Sequence, residues 1–160
     1  MERRFARQEV GVEVRGEGDE ARPVITGYAS IYYNGTPTTE YELWDDTATG
    51  GSRAVERILP GFFADVMGDD VRALYNHEPD HILGRTKAGT LELSDDDHGL
   101  RYRIDPPDTA LGRDLVTSIR RGDISGSSFA FFVPRDGQRW RTEGDVKVRE
   151  LVREIGRAHV

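Results

Sequence analysis

Alternation of apolar and polar residues, broken every few positions by glycine- or aspartate-rich turns, dominates this chain and restricts it to a fold of short paired strands. Val10, Val12 and Val14 share one face while Glu13 and Arg15 take the other, and the polar run 16–22 turns the chain into Val24–Tyr33. A first hairpin is expected there, with Gly27 read as a bulge in its second strand. Leu91 and Leu93, followed across Ser94–Gly99 by Leu100, Tyr102 and Ile104, predict a second hairpin. The three aspartates of that turn are consecutive, without the every-other-residue spacing of a calcium loop. Val71–Tyr75, residues 124–133 and Val146–Val152 bring the total to about seven strands. The last alternates with one buried face and is expected at a sheet edge. Residues 34–52 are polar and turn-rich and read as a surface loop.

Helical spacing is confined to two places. Thr109–Arg121 places Leu111, Leu115, Val116 and Ile119 on one face, with Asp108 or Thr109 to cap it, two arginines in its last turn and Gly122 to stop it. Pro60 and Gly61 open a shorter segment before Gly68 that presents Phe62 and Val66 to the core. Two helices against seven strands are too few for alternating βαβ units. The expected fold is therefore mainly β (α+β), an antiparallel sheet or partly open barrel of about seven strands with two or more short helices. At 160 residues it should be a single domain.

Composition narrows the chemistry. With 22 basic and 29 acidic residues the formal charge is −7, which offers no whole-surface positive field for a phosphate backbone, so nucleic acid is not an expected partner. No apolar run approaches a bilayer span, so no membrane is expected either and the reading is of a soluble, intracellular protein. The absence of cysteine removes disulfides, thiolate metal sites and a thiol nucleophile. Any nucleophile is an oxygen or a lysine.

Two segments could carry chemistry. His77-Glu78-Pro79-Asp80-His81 satisfies the letters of the H-E-x-x-H zinc signature, but that motif works on a helix, and Pro79 lacks a donor and drives Glu78 toward extended geometry. A zinc hydrolase using His77 and His81 is thus the least favoured reading. The second segment, 122–131 (GDISGSSFAF), sets Gly126 beside Ser127 and Ser128, where a serine could meet an uncrowded carbonyl and backbone N–H groups an oxyanion. On spacing alone, an ordinary strand after a helix end explains it equally well. His77 as the base for such a serine is a weak hypothesis on local chemistry.

The ordered signals together resemble the prohead serine protease family of tailed bacteriophages, related in fold to the herpesvirus assemblins. The resemblance rests on Gly27-Tyr28-Ala29, Ile58-Leu59-Pro60-Gly61-Phe62-Phe63, Leu74-Tyr75-Asn76-His77-Glu78, Ile82-Leu83-Gly84, Gly99-Leu100, Gly112-x-Asp114 and the SGSSFAF segment, in that order. It covers about residues 24–133 and extends more weakly to 153. It implies a herpesvirus-protease-like fold and a serine endopeptidase in which His77 is the base and Ser128 the nucleophile, with backbone amides near Gly126, Ser127 and Ser128 at the oxyanion. Glu78 stands where aspartate is usual and Ser127 where a larger apolar residue often stands, which leaves Ser127 as a rival nucleophile. If the strand begins at Ser128 the two serines point to opposite faces, so only one can meet His77. Glu154 is the expected third member, with Glu150 behind it.

The ending EIGRAHV resembles the translation of a short sequencing adapter. Residues 155–160 are therefore expected to be a non-native tail on a domain, 1–154, truncated at its C-terminus, and His159 is not assigned to the triad. The resemblance further implies no cofactor and no metal, scaffold and major capsid proteins as substrates with the protease itself a further candidate, an open question of homo-oligomerisation, and action in the host bacterial cytoplasm inside the assembling procapsid. The alternative is a non-catalytic capsid-assembly or scaffold-binding module on the same framework.

Overall fold

The computed structural model describes residues 1–6, 10–18 and 21–154, and among these it forms twelve strands and one α-helix. In chain order they are β1 (Glu2–Ala6), β2 (Gly11–Arg15), β3 (Arg22–Ile31), β4 (Tyr41–Asp45), β5 (Arg53–Ile58), β6 (Arg72–Leu74), β7 (Ile82–Arg85), β8 (Leu91–Asp95), β9 (Gly99–Ile104), α1 (Ala110–Arg121), β10 (Ser127–Phe131), β11 (Gln138–Glu143) and β12 (Val146–Leu151). The seven expected strands correspond to β2, β3, β6, β8, β9, β10 and β12, and five more accompany them.

Both expected hairpins form, and they join in one four-stranded antiparallel sheet of order β2-β3-β9-β8. The register slip in β3 falls between Tyr28 and Ser30 rather than at Gly27. Gly27 serves a different purpose: a Cβ there would lie 2.6 Å from Tyr102 Oη, so the missing side chain makes room for that ring. A second four-stranded sheet has the order β11-β12-β5-β4. Here β12 runs parallel to β5, so the molecule is not wholly antiparallel. The sheet also corrects two expectations. Residues 34–52 are not all loop, because β4 lies within them. And β12 is flanked on both sides, with Arg149 as well as Val148 and Leu151 buried, rather than lying at an edge. The remaining strands form the pairs β1-β10 and β6-β7, and no closed barrel is present among the described residues.

Helix α1 begins and ends where its caps dictate. Thr109 is extended and its Oγ1 accepts the Gly112 N–H, while Gly122, left-handed at φ 79°, returns its N–H to Ile119. The short helix expected after Gly61 is reduced to a 3-10 turn at Ala64–Val66, although Phe62 and Val66 are buried as expected. Left-handed Gly61 precedes this segment and Gly68 follows it, leaving too few residues to propagate an α-helix.

An aromatic cluster fixes β10. Phe129 and Phe131, on one face of it, meet Phe63 and Phe62 with centroid separations of 5.7 and 5.8 Å. Each such buried side chain contributes roughly 1.5–3 kcal/mol by leaving water. From the first strand, Arg4 reaches over the Phe131 ring and ion-pairs at 2.5 Å with fully buried Glu56 of β5, which also holds Arg149 of β12 at 2.8 Å. Glu2 closes the network on both arginines. The β1-β10 pair is thereby locked to the sheet beneath it.

Candidate active site

The connection 75–81 joins the hairpin strands β6 and β7. Tyr75 N–H donates to His81 O, Glu78 N–H to Tyr75 O and His81 N–H to Glu78 O, so the loop is closed by its own backbone. Within it Asn76 (φ 53°) and His77 (φ 56°) are both left-handed, the two non-glycine residues with positive φ among those described. Asparagine tolerates that region, whereas histidine pays for it on the order of 1 kcal/mol. Strain of this kind persists where surrounding structure over-determines it, and here it aims the imidazole back at the sheet.

On the facing element, β10 begins at Ser127. Strand alternation separates the two serines. Ser127 Oγ donates to the Tyr28 carbonyl of β3 at 2.9 Å, whereas Ser128 Oγ is hydrogen-bonded to His77 Nε2. The chain thus brings together residues 51 positions apart, as a serine and its base would have to be, and it commits Ser127 to a structural bond.

A cavity of about 350 Å³ opens beside this pair, and Gly126, Ser127, Ser128 and His77 all line it. Its other walls include Ile25 and Ile104 of the β2-β3-β9-β8 sheet, Leu115 and Ile119 of α1 and Leu83 of β7. Sequence reasoning placed the helix residues in the core because their spacing has the same period whether a face meets solid packing or a hollow. It did not find Phe5, which pairs with Ser128 across β1 and β10 and also lines the cavity. No local signal distinguishes this phenylalanine from any other on an alternating strand.

The other expected site residues lie elsewhere. Glu154 N–H donates to Phe62 O, and its side chain is fully buried, but the residue does not line the cavity. Among the described residues no side chain hydrogen-bonds either carboxyl oxygen, and the Phe132 backbone offers at most a weak interaction. Burial, reinforced by the charge of Asp69, pushes this carboxyl up to about 8. Glu150 ion-pairs with Arg141 at 2.9 Å. His81 is exposed and packs its ring against Tyr75. Glu78 is extended (φ −83°, ψ 119°), so His77 and His81 do not share a helix face, as the proline after Glu78 dictates. Among the described residues no group of three or more His, Asp or Glu is placed to hold a metal ion. His159 and the expected tail lie outside the described residues.

No helix among the described residues is long and apolar enough to cross a membrane. No curated protein and no solved structure matches the chain significantly. One family does, described as caudovirus prohead serine protease, and its match runs over residues 10–156, taking in the strained histidine loop, the capped helix and the serine strand alike. A strand-borne serine hydrogen-bonded to a histidine beside an apolar cavity, on a mainly β framework that this family's pattern spans almost end to end, places the chain in the caudovirus prohead serine protease family.

Proposed function

We propose that this chain is a serine endopeptidase that cuts scaffold and major capsid polypeptides during procapsid maturation, inside the assembling shell in the host cytoplasm, with Ser128 as nucleophile and His77 as its base. The observation that carries the reading is the hydrogen bond between His77 Nε2 and Ser128 Oγ at the wall of the cavity. In this reading neutral His77 accepts the Ser128 proton as Oγ attacks a peptide carbonyl, and the same imidazole then returns the proton to the leaving amine. Backbone amides around Gly126 and Ser127 offer donors to the developing oxyanion. Water, deprotonated in turn by His77, releases the acyl group.

Glu154, buried but without a bond to the imidazole, would have to turn toward His77 to act as the orienting acid of the triad, and one substitution separates that role from a structural one. A loss of turnover on the order of 10⁴-fold in Glu154→Gln assigns the orienting role, and unchanged turnover removes it. For the reading as a whole, the purified chain is treated with a fluorophosphonate and digested. The expected result is a single adduct on Ser128, absent from Ser128→Ala. An unmodified Ser128 in a folded chain would instead favour the non-catalytic capsid-assembly module.

A further inference from the structure

We infer that the cavity beside Ser128 is a binding subsite for an apolar side chain of the polypeptide to be cut, at a residue flanking the scissile bond; this deepens the protease reading and rests on it. Although 32% of the chain is charged, no Asp, Glu, Lys or Arg among the described residues lines the cavity. Six aliphatic side chains, Ile25, Leu83, Ile104, Leu115, Ile119 and Ile124, are among those that line it. Against these apolar walls an acidic or basic side chain would lose its hydration, whereas a leucine or phenylalanine would gain what burial of apolar area gives. A volume of about 350 Å³ lies at the small end of ligand pockets and has room for a large apolar side chain.

The strand arrangement makes side-chain burial the more important. A peptide could gain affinity by adding as a strand along β10, but on one edge that ladder is already made by β1, in register from Glu2↔Phe131 to Ala6↔Ser127. Phe5 stands on the same face as Ser128 and is 62% exposed, and its ring occupies the space that a Cβ at Gly126 would need. The cavity mouth is therefore framed by an exposed aromatic ring on one side and the serine–histidine pair on the other.

Digestion of denatured casein by the purified 160-residue chain, with the cut sites read by mass spectrometry, tests the assignment. The expected result is one position within about two residues of the cut enriched in Leu, Ile, Met or Phe and depleted in charged residues. Ile124→Phe, which fills the cavity, should shift that position toward Ala and Val by about tenfold in relative kcat/KM, the scale on which apolar pockets discriminate. Ile124→Ala should shift it the other way, and serves alone if the larger residue prevents folding. Cut sites without apolar bias at any fixed position, or a bias unmoved by both substitutions, would overturn the subsite. The fluorophosphonate adduct on Ser128 is read in parallel. An adduct with unbiased cutting rejects the subsite alone, and absence of both adduct and cutting rejects the protease reading and the subsite with it.

Discussion

Ser127 and Ser128 are chemically identical neighbours, and one step along a strand separates their fates. Ser128 meets the imidazole, whereas Ser127 is tied to the Tyr28 carbonyl. Ser128→Ala is expected to lower turnover on casein by 10⁴-fold or so, with the circular dichroism spectrum unchanged. Ser127→Ala should retain most turnover and lose about 1 kcal/mol of stability in urea titration, the worth of one part-buried hydrogen bond. His77→Ala should match Ser128→Ala, while His81→Ala, at an exposed position, should be active; comparable loss in both histidine variants, accompanied by stoichiometric bound zinc, would argue for the metal reading. Glu154 supplies a pH signature of its own. Because its folded carboxyl is raised from the ordinary 4.5 to about 8, its contribution is fully present below the lower value and is lost as pH climbs through the higher one. Stability of the wild-type chain should thus fall between about pH 5 and about pH 8, and Glu154→Gln should flatten that slope in urea midpoints taken across the interval.

At the scale of elements, the site is a meeting of a strained hairpin loop, a capped helix and a strand. Helix α1 was legible because its caps and its apolar stripe are local: Thr109, Gly122 and four apolar positions suffice. Thr109→Ala should cost about 1 kcal/mol, seen as a lower urea midpoint, and because Leu115 and Ile119 line the cavity the same change should loosen cleavage selectivity more than it lowers Ser128 labelling. Strand β5 was not legible. Its sequence Arg-Ala-Val-Glu-Arg-Ile carries three charges, yet five of its six residues are buried. Glu56 and Arg57 are tolerable there only because Arg4, Arg149, Glu40 and Glu143 arrive from other elements to pair with them. Alternation reads one solvent face and one core face, and it misjudges a strand covered on both.

For the whole molecule, the Glu2, Arg4, Glu56 and Arg149 network adds a charged tie between the serine strand and the rest, beside its aromatic packing and the Ser127 bond to β3. It ties β1, and through β1 the β10 ladder, to the centre of the β11-β12-β5-β4 sheet. Glu56→Ala removes the buried carboxylate shared by Arg4 and Arg149, leaving half-exposed Glu2 as their remaining counter-charge, and should destabilise by about 2–3 kcal/mol in equilibrium unfolding. If the tie does support β10, the variant should also react more slowly with a fluorophosphonate under conditions where it is folded.

What the sequence determined alone is chiefly the set of features encoded within a dozen residues: a mainly β fold with seven of its twelve described strands, two hairpins, the helix with its caps and the departure of His77 and His81 from a common helix face; the order of its motifs along the chain added the family. What only the tertiary structure decided depends on residues far apart in the chain. The pairing of β12 with β5, the burial of Glu56 and the presence of Phe5 at the cavity mouth each require a partner from 52 to 123 positions away (56 − 4 and 128 − 5), and the place of Glu154 outside the cavity lining follows from the same long-range packing. Local periodicity reports which face of an element is apolar, but not which element will cover it, because that choice is made by the sum of packing and charge pairing over the folded chain.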